Sequence, residues 1–501
     1  MLSLSMIVKN EENYLHDCLQ SVKEIIDEII IVDTGSTDNT IKIAREFNAK
    51  IFTYKWDNDF SSARNYSLEH CNFDWVLYLD ADERLSEKSI NEIKQIIKTK
   101  NNKAYFCRVV NISEHSQRPS LMDYVRLFPN KKSIRFVGKI HEQIEPSLIR
   151  NNVDINQSDI EIIHLGYNVD GNKLLNKAKR NLTLLLLEYE KEKTSYYAYQ
   201  LGHTYGILEE KENAVKYFLI SLKDEKLKKE YSSIACRYIA INYSENNNWD
   251  KAFEYINKSI KFDENQPIAL LVAAKIYSYL EKNIEVSELC KKSYKVNNDF
   301  LKRKNKSFQT ILLDNKTIIE ESILLAAKTN DYNLFNYFVE KLKNENLLNT
   351  NSISNLLVNI FNNKKMSQQK ISECLNGIQK EHLISILNIL DKYQHIKPKI
   401  VLLEELHKLF PTHILVLNEL ALEYRKDNQL LKSRKMYERS YETNKKDAAV
   451  LFYLISLYIQ NKEFDKINSI IEDAENNFKS NEIIFSKINL LKDKLSEYLN
   501  N

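Results

Sequence analysis

The amino-acid sequence predicts an α/β domain with a mostly parallel sheet over the first 170 residues, followed by an all-α helical solenoid. Three observations carry this expectation. In the first third, short β-branched runs alternate with stretches of helical spacing, the pattern of successive βα units. Two of those runs, Glu28-Ile-Ile-Ile-Val-Asp33 and Trp75-Val-Leu-Tyr-Leu-Asp80, end abruptly in a carboxylate. Beyond residue 190 the chain carries small and aromatic residues at a 34-residue spacing, and only 7 Gly and 6 Pro occur in all 501 residues, which favours long helices.

In chain order, Leu2 to Val8 reads as the first strand, and Leu15, Leu19, Val22, Ile25 and Ile26 recur at helical spacing after it. Glu28 to Asp33 is the second strand. The polar turn Thr34-Gly35-Ser36-Thr37-Asp38 can cap a helix from Asn39 to Phe47. Lys50 to Tyr54 is a third strand, Phe60 to His70 a helix, and Trp75 to Leu79 a fourth strand. Right-handed crossovers then make these strands parallel. After a helix from Ser86 to Ile97, shorter strands are expected at Lys103 to Val110, Tyr124 to Phe128, Ser133 to Val137 and Ile160 to Ile163, forming a mixed or antiparallel edge.

Composition narrows the function classes. Hydrophobic residues make up 43% and charged residues 28%, and the net charge is only +3 with no basic block, so nucleic acid is not an expected partner. Cys18, Cys71, Cys107, Cys236, Cys290 and Cys374 form no C-x-x-C pair, so neither a zinc site nor a disulfide framework is indicated. The N-terminus lacks a basic segment followed by an apolar one, and no apolar run is long enough to span a bilayer. A cytoplasmic protein with no integral membrane segment is the expectation.

In an open α/β sheet, ligands bind beyond the carboxyl ends of the strands. Asp33 and Asp80 would share that rim. Asp80 and Asp82, spaced i, i+2, suit a hard divalent cation that also carries a diphosphate; the plain alternative is a capped turn. A carboxylate at Asp33 can accept hydrogen bonds from a base or from ribose hydroxyls. Neither G-x-G-x-x-G nor G-x-x-x-x-G-K-[ST] occurs, so a metal and a cation would have to neutralise the diphosphate. Arg64 is the nearest candidate cation, because its planar fork matches phosphate oxygens; the alternative for Arg64 is an exposed helix arginine.

These segments carry a resemblance. Ser5-Met-Ile-Val-Lys9-Asn10-Glu11, Ile31-Val-Asp33-Thr-Gly35-Ser36-Thr37-Asp38-Asn39-Thr40, Asp59-Phe-Ser-Ser-Ala63-Arg64-Asn65 and Leu79-Asp80-Ala-Asp82-Glu83 stand in the order of the family 2 glycosyltransferases, which have the Rossmann-like GT-A fold. The resemblance implies a nucleotide-sugar donor, usually a UDP-sugar such as UDP-glucose or UDP-GlcNAc, and inversion at the anomeric carbon. It implies donor contacts from Val8, Asn10, Glu12, Asp33, Arg64, Asp80 and Ala81. Asp33 would meet the uracil, Asp80 the ribose or the metal's water shell, and Asp82 would bind Mn²⁺ or Mg²⁺. Phe136-Val-Gly138-Lys-Ile-His141-Glu142-Gln143 is similar to a His-Glu element of a bacterial branch of the family. Ile163-His164-Leu-Gly166-Tyr167 is similar to the strand-end histidine that completes the metal site. Inversion needs a base on the face opposite the leaving diphosphate. Glu142 is the candidate, with His141 orienting acceptor or phosphate and His164 as a metal ligand beside Asp82. A salt-bridged turn and a buried structural histidine are the respective alternatives.

The remaining chain divides into a linker helix (171–192), repeats (193–300), a divergent helical region (301–410) and C-terminal repeats (411–501), after a transferase domain over 1–170. Leu201-Gly202-His-Thr-Tyr205 with Ala214, Phe218 and Ser221 resembles the tetratricopeptide pattern. Ile239-Ala240, Tyr243, Ala252, Ile256 and Ser259 repeat it, as do Ala273-Ala274, Tyr277, Val286, Cys290 and Ser293. Tyr243 and Tyr277 are 34 residues apart, as are Tyr424 and Tyr458. A solenoid offers an extended concave surface, so a peptide or protein acceptor held by the repeats is the expectation, a layout shared with the bacteriocin S-glycosyltransferases. Repeats that mediate a homodimer, a cell-envelope glycan or lipid acceptor, and a non-catalytic repeat scaffold are the alternatives.

Overall fold

The computed structural model describes residues 1–99, 102–111, 120–165, 171–225, 227–302, 309–347, 352–390 and 392–500. Two compact units divide the chain, Met1–Ile318 and Ile319–Asn501.

The first unit is built on one mixed sheet. Its strands are β1 (Leu2–Val8), β2 (Glu28–Asp33), β3 (Lys50–Thr53), β4 (Trp75–Tyr78), β5 (Glu83–Leu85), β6 (Lys103–Asn111), β7 (Ser120–Pro129), β8 (Asp154–His164) and β9 (Gln309–Ile311). The order is β3-β2-β1-β4-β7-β6-β8-β5, with β9 added to β7. β1 to β4 are parallel, with Val8 opposite Asp33 and Ser5 opposite Tyr78. β7 runs antiparallel to β4, and β8 parallel to β6. Helices α1 (Leu15–Val22), α2 (Thr40–Glu46), α3 (Phe60–Glu69), α4 (Glu87–Ile96) and α5 (Glu145–Arg150) complete this part. β1 is buried on both faces: Leu2, Leu4 and Met6 are wholly inaccessible, and so is Ser3, whose hydroxyl donates to Glu28 Oε1 at 2.6 Å. The strand, Leu-Ser-Leu-Ser-Met-Ile-Val, therefore starts as an alternating pattern although both of its faces are buried, and its second serine, Ser5, is likewise satisfied, its hydroxyl 2.7 Å from that of Ser67.

One expected strand is absent. Ser133 to Val137 does not form a strand; only Val137 pairs, in a single bridge with Gln143. The Asn65 side chain takes a strand partner's place, accepting from Phe136 N at 2.8 Å and donating to Phe136 O at 3.0 Å. Ile134 and Phe136 still sink into the core beside Tyr78 and Phe128, which explains the strand-like pattern in the sequence. Conversely, β5, α5 and β9 are too short to show a period.

The helices of this unit continue as α6 (Gly171–Lys191), α7 (Ser195–Ile207), α8 (Lys211–Ser221), α9 (Lys229–Glu245), α10 (Trp249–Phe262), α11 (Pro267–Tyr279) and α12 (Asn283–Leu301), packed as hairpins. Gly202 shows why the repeat needs a residue without a side chain: a Cβ there would stand 2.8 Å from the Phe218 ring of α8. β9 returns from beyond α12 to pair with Ser120–Met122 of β7, so the helices before it are tied back to the sheet.

The second unit is helical throughout its described residues. Its hairpins include Ile414–Lys426 with Leu430–Thr443 and Ala448–Gln460 with Phe464–Phe478, followed by Glu482–Asn500. Three of the repeat tyrosines, one in the first unit and two in the second, donate their hydroxyl to a residue twenty positions earlier. Tyr277 reaches Asn257 at 2.7 Å, Tyr424 reaches Glu404 at 2.5 Å, and Tyr458 reaches Glu438 at 2.9 Å. Between Ile353–Phe361 and Gln368–Cys374 the chain leaves the helix at Asn362 to Lys365. Among the described residues no helix is long and apolar enough to cross a membrane.

Candidate active site

The carboxyl ends of β1, β2 and β4 bring the candidate residues to one rim. Asp33, at the last position of β2, accepts from Ser36 N at 3.0 Å and Gly35 N at 3.3 Å, folding the turn back over the strand end. Gly35, at φ 109, supplies the backbone conformation that the turn requires. Asn10, itself at φ 57, accepts from Thr37 N at 2.7 Å, and Glu12 accepts from the Asn39 side chain at 2.8 Å. These two residues brace the 36–39 turn beside Asp33. The Val8 carbonyl accepts from Thr34 N at 3.0 Å, and Ala81 is buried, its carbonyl accepting from Arg84 at 2.8 Å.

Arg64 joins the two halves of the site. Asp59 caps α3 by accepting from Ser62 N at 3.0 Å, which starts the helix that carries Arg64 inward. The buried guanidinium donates through Nη2 to Asp80 Oδ1 at 2.8 Å and through Nε to Glu142 Oε1 at 2.6 Å. The cation expected to face the diphosphate is thus already held by two carboxylates. Arg126 stands on the other side of Asp80, donating to Glu83 Oε1 at 2.5 Å and lying 3.9 Å from Asp80 Oδ2. Both guanidinium groups lie over the Tyr78 ring, at 5.0 and 4.3 Å from its centroid. Burial alone would raise the Asp80 carboxyl, but Arg64 and then Arg126 hold it well below the usual carboxylate range. Arg126 carries no signal in the sequence, and Glu83 stands there only as the end of the Asp80-Ala-Asp82-Glu83 motif: the two meet across 43 residues, and no spacing announces the pair.

Asp82 and His164 meet directly, His164 Nε2 lying 3.2 Å from Asp82 Oδ2. Asn111 Oδ1 is 2.6 Å from His164 Nδ1, so with Nδ1–H donating, the Nε2 lone pair turns toward the carboxylate. Two donors on one octahedral ion at about 2.1 Å lie about 3 Å apart, so this pair fits a divalent cation. Among the described residues no group of three or more His, Cys, Asp or Glu could hold a metal by itself, so oxygens of the donor would have to complete the shell. Glu11 points the same way. Burial, with the Asp82 and Asp80 carboxylates next, pushes its carboxyl up to about 7, as expected where carboxylates crowd together.

His141 and Glu142 lie in the loop opposite. Lys139 O accepts from Phe60 N at 2.9 Å, which fixes this loop to the start of α3. His141 sits at φ 53, and its carbonyl accepts from the Tyr196 hydroxyl of α7 at 3.2 Å. Burial, helped by His203 and Lys177, pushes its imidazole down to about 4, so it is neutral near pH 7. Arg64 occupies Glu142 Oε1, and Oε2 has no partner among the described residues.

The comparisons with known proteins bear on class first. Residues 3–152, in the first unit, match the family model described as Glycosyl transferase family 2, and tetratricopeptide-like helices follow them in the chain. More particularly, the SPbeta prophage-derived glycosyltransferase SunS of Bacillus subtilis (strain 168) is 31% identical over 232 residues, covering 45% of this chain and 54% of SunS. A TPR repeat-containing protein of Synechococcus elongatus is 38% identical over 148 residues, covering 30% of this chain and 36% of that protein. The chain thus spans about half the length of SunS and less of the Synechococcus protein. Among solved structures, S. aureus TarS 1-349 aligns with 52% of this chain and 90% of its own, at 12% identity and a TM-score of 0.30, a likeness too slight to argue from.

Proposed function

We propose that this chain is a metal-dependent inverting glycosyltransferase that moves a sugar from a UDP-sugar, such as UDP-glucose or UDP-GlcNAc, to a peptide or protein acceptor. The observation that carries the reading is the Arg64 bridge: one buried guanidinium holds Asp80 on the donor side and Glu142 on the loop side. A donor carboxylate and a candidate base are thereby set one guanidinium apart. Asp33 would receive the uracil, with Asn10, Glu12 and Val8 shaping the turn around it and Ala81 closing the floor. Asp82 and His164 would hold Mn²⁺ or Mg²⁺, which when bound offsets the diphosphate charge.

The acceptor nucleophile approaches from the Glu142 side. Its proton passes to Glu142 Oε2, its oxygen or sulfur bonds to the anomeric carbon, and the carbon–oxygen bond to the diphosphate breaks. Neutral His141 would orient the acceptor. A thiol acceptor would ask less of Glu142, because cysteine ionises near pKa 8.5. The polypeptide acceptor rests on the repeats, whose concave surface suits an extended chain.

The test is nucleotide release from UDP-, GDP- and dTDP-sugars with Mn²⁺, Mg²⁺ or EDTA, followed by transfer to peptide, glycan and lipid acceptors. EDTA-sensitive release from one donor is expected. Silence from every donor, together with no metal-dependent stabilisation by UDP, would leave a repeat scaffold instead.

A further inference from the structure

Beside the His141–Glu142 loop stands a helical wall. Tyr196 of α7 accepts from Gln143 Nε2 at 3.1 Å while donating to the His141 carbonyl, so α7 is fastened to the loop. Tyr196, Tyr199 and His203 follow at helical spacing along one face of α7. Tyr199 stacks near His203, with ring centroids 6.4 Å apart, and packs on Tyr231 of α9 at 4.5 Å. Arg237 lies further along α9, close enough to Tyr199 and His203 for its charge to act on both.

Arg237 is only 8% exposed, yet no hydrogen bond or ion pair to it exists among the described residues, and no carboxylate offsets its charge. Two more polar atoms nearby are buried without a partner, the Tyr199 hydroxyl and His141 Nε2. The other buried arginines of this unit, Arg64 and Arg126, are both paired with carboxylates. A buried ion without a counter-charge is strongly unfavourable, so a fold that keeps one is suited to a ligand that supplies the charge.

We propose that Arg237, with His203 beside it, forms an anion-binding subsite that grips a carboxylate or phosphate carried by the acceptor. The guanidinium would take two of the anion's oxygens in parallel, and the Tyr199 hydroxyl would add a donor. The inference rests on the transferase reading of the neighbouring site and deepens it: the acceptor is negatively charged near the group that receives the sugar.

The experiment is thermal melting of the full chain, wild type and Arg237→Gln, with inorganic phosphate or with acetate, each against NaCl of equal ionic strength. A separate arm adds UDP with Mn²⁺. One of the anions is expected to raise the wild-type midpoint by roughly 2–4 °C at ten times its Kd, and the rise should vanish in Arg237→Gln while the UDP shift persists. The stronger anion names the source, a phosphorylated group or a carboxylate. No anion shift in the wild type, or an equal shift in both proteins, overturns the proposal. A UDP shift missing from both proteins, beside an anion shift that depends on Arg237, would sink the transferase reading and leave the subsite standing. Should Arg237→Gln fail to fold, the His203 titration in the wild type decides by NMR: its pKa must rise when phosphate is added, and an unmoved pKa overturns the subsite.

Discussion

On the sheet side of the candidate site Arg64 is answered by Asp80 and Glu142, Arg126 by Glu83, and His164 by Asp82. On the helix side, among the described residues, Arg237 has no carboxylate, and the electrostatic neighbours of His203, Arg237 and His141, carry no negative charge. The difference separates two kinds of site. On the sheet side Arg64 and Arg126 have their carboxylates before any ligand arrives. The helix side leaves a charge open, and a ligand must complete it.

The largest expected effect tests that contrast directly. Arg64→Met leaves two carboxylates facing one another without their cation, and should cost about 3–5 kcal/mol, the usual penalty for breaking a buried pair from one side. Because the Asp80 side chain is 38% exposed, the lower end of that range is expected in chemical denaturation. Arg237→Met should cost little or raise the midpoint; an equal loss would make Arg237 a structural cation and erase the contrast.

Asp82→Ala should abolish metal-dependent stabilisation by UDP while the melt without ligand stays unchanged. A retained metal effect would move the cation away from the Asp82–His164 pair. Glu142→Gln should slow transfer by roughly 10²-fold or more if Glu142 is the base, with UDP stabilisation preserved. A normal rate would point to a different base or to a thiol acceptor.

Truncation sharpens the comparison between the two units. A chain ending at Ile318 keeps α7, Arg237 and β9, and is expected to retain nucleotide release while transfer to a polypeptide falls. Full transfer would confine acceptor binding to the first unit. A cut near residue 195 is a poorer test, because it removes the Tyr196 hydroxyl that holds the His141 carbonyl and the β9 strand that pairs with β7.

The smallest effect lies on the sheet. Burial works to raise the Glu28 carboxyl, but hydrogen bonds from Ser3, Asn72 and Lys50 outweigh it and lower the pKa from 4.5 to about 2. Its folded pKa is depressed, so the stability it contributes is present above about pH 4.5 and is lost as pH falls toward 2. Glu28→Gln should flatten that part of the acid-unfolding curve, and an unchanged curve would show that the network contributes nothing.

Asp33, Asp80, Asp82 and His164 were legible from the chain because each stands at the end of an apolar run, where a parallel sheet delivers its ligands. The repeats were legible because each helix pair buries the same small and aromatic positions, so the period survives in the letters. Ser133 to Val137 misled because burial imitates a strand, whereas Asn65, from a helix 71 residues away, took the hydrogen bonds. The amino-acid sequence by itself thus determined the order of strands and helices, the carboxylates at the strand ends and the repeat cores, all of which follow from local pattern. Only the tertiary structure decided how the charges pair. Arg64 meets Glu142 across 78 residues, Arg126 meets Glu83 across 43, and Arg237 meets no carboxylate among the described residues. A charge's partner depends on distance in space and on burial, and neither is written in the spacing of residues along the chain.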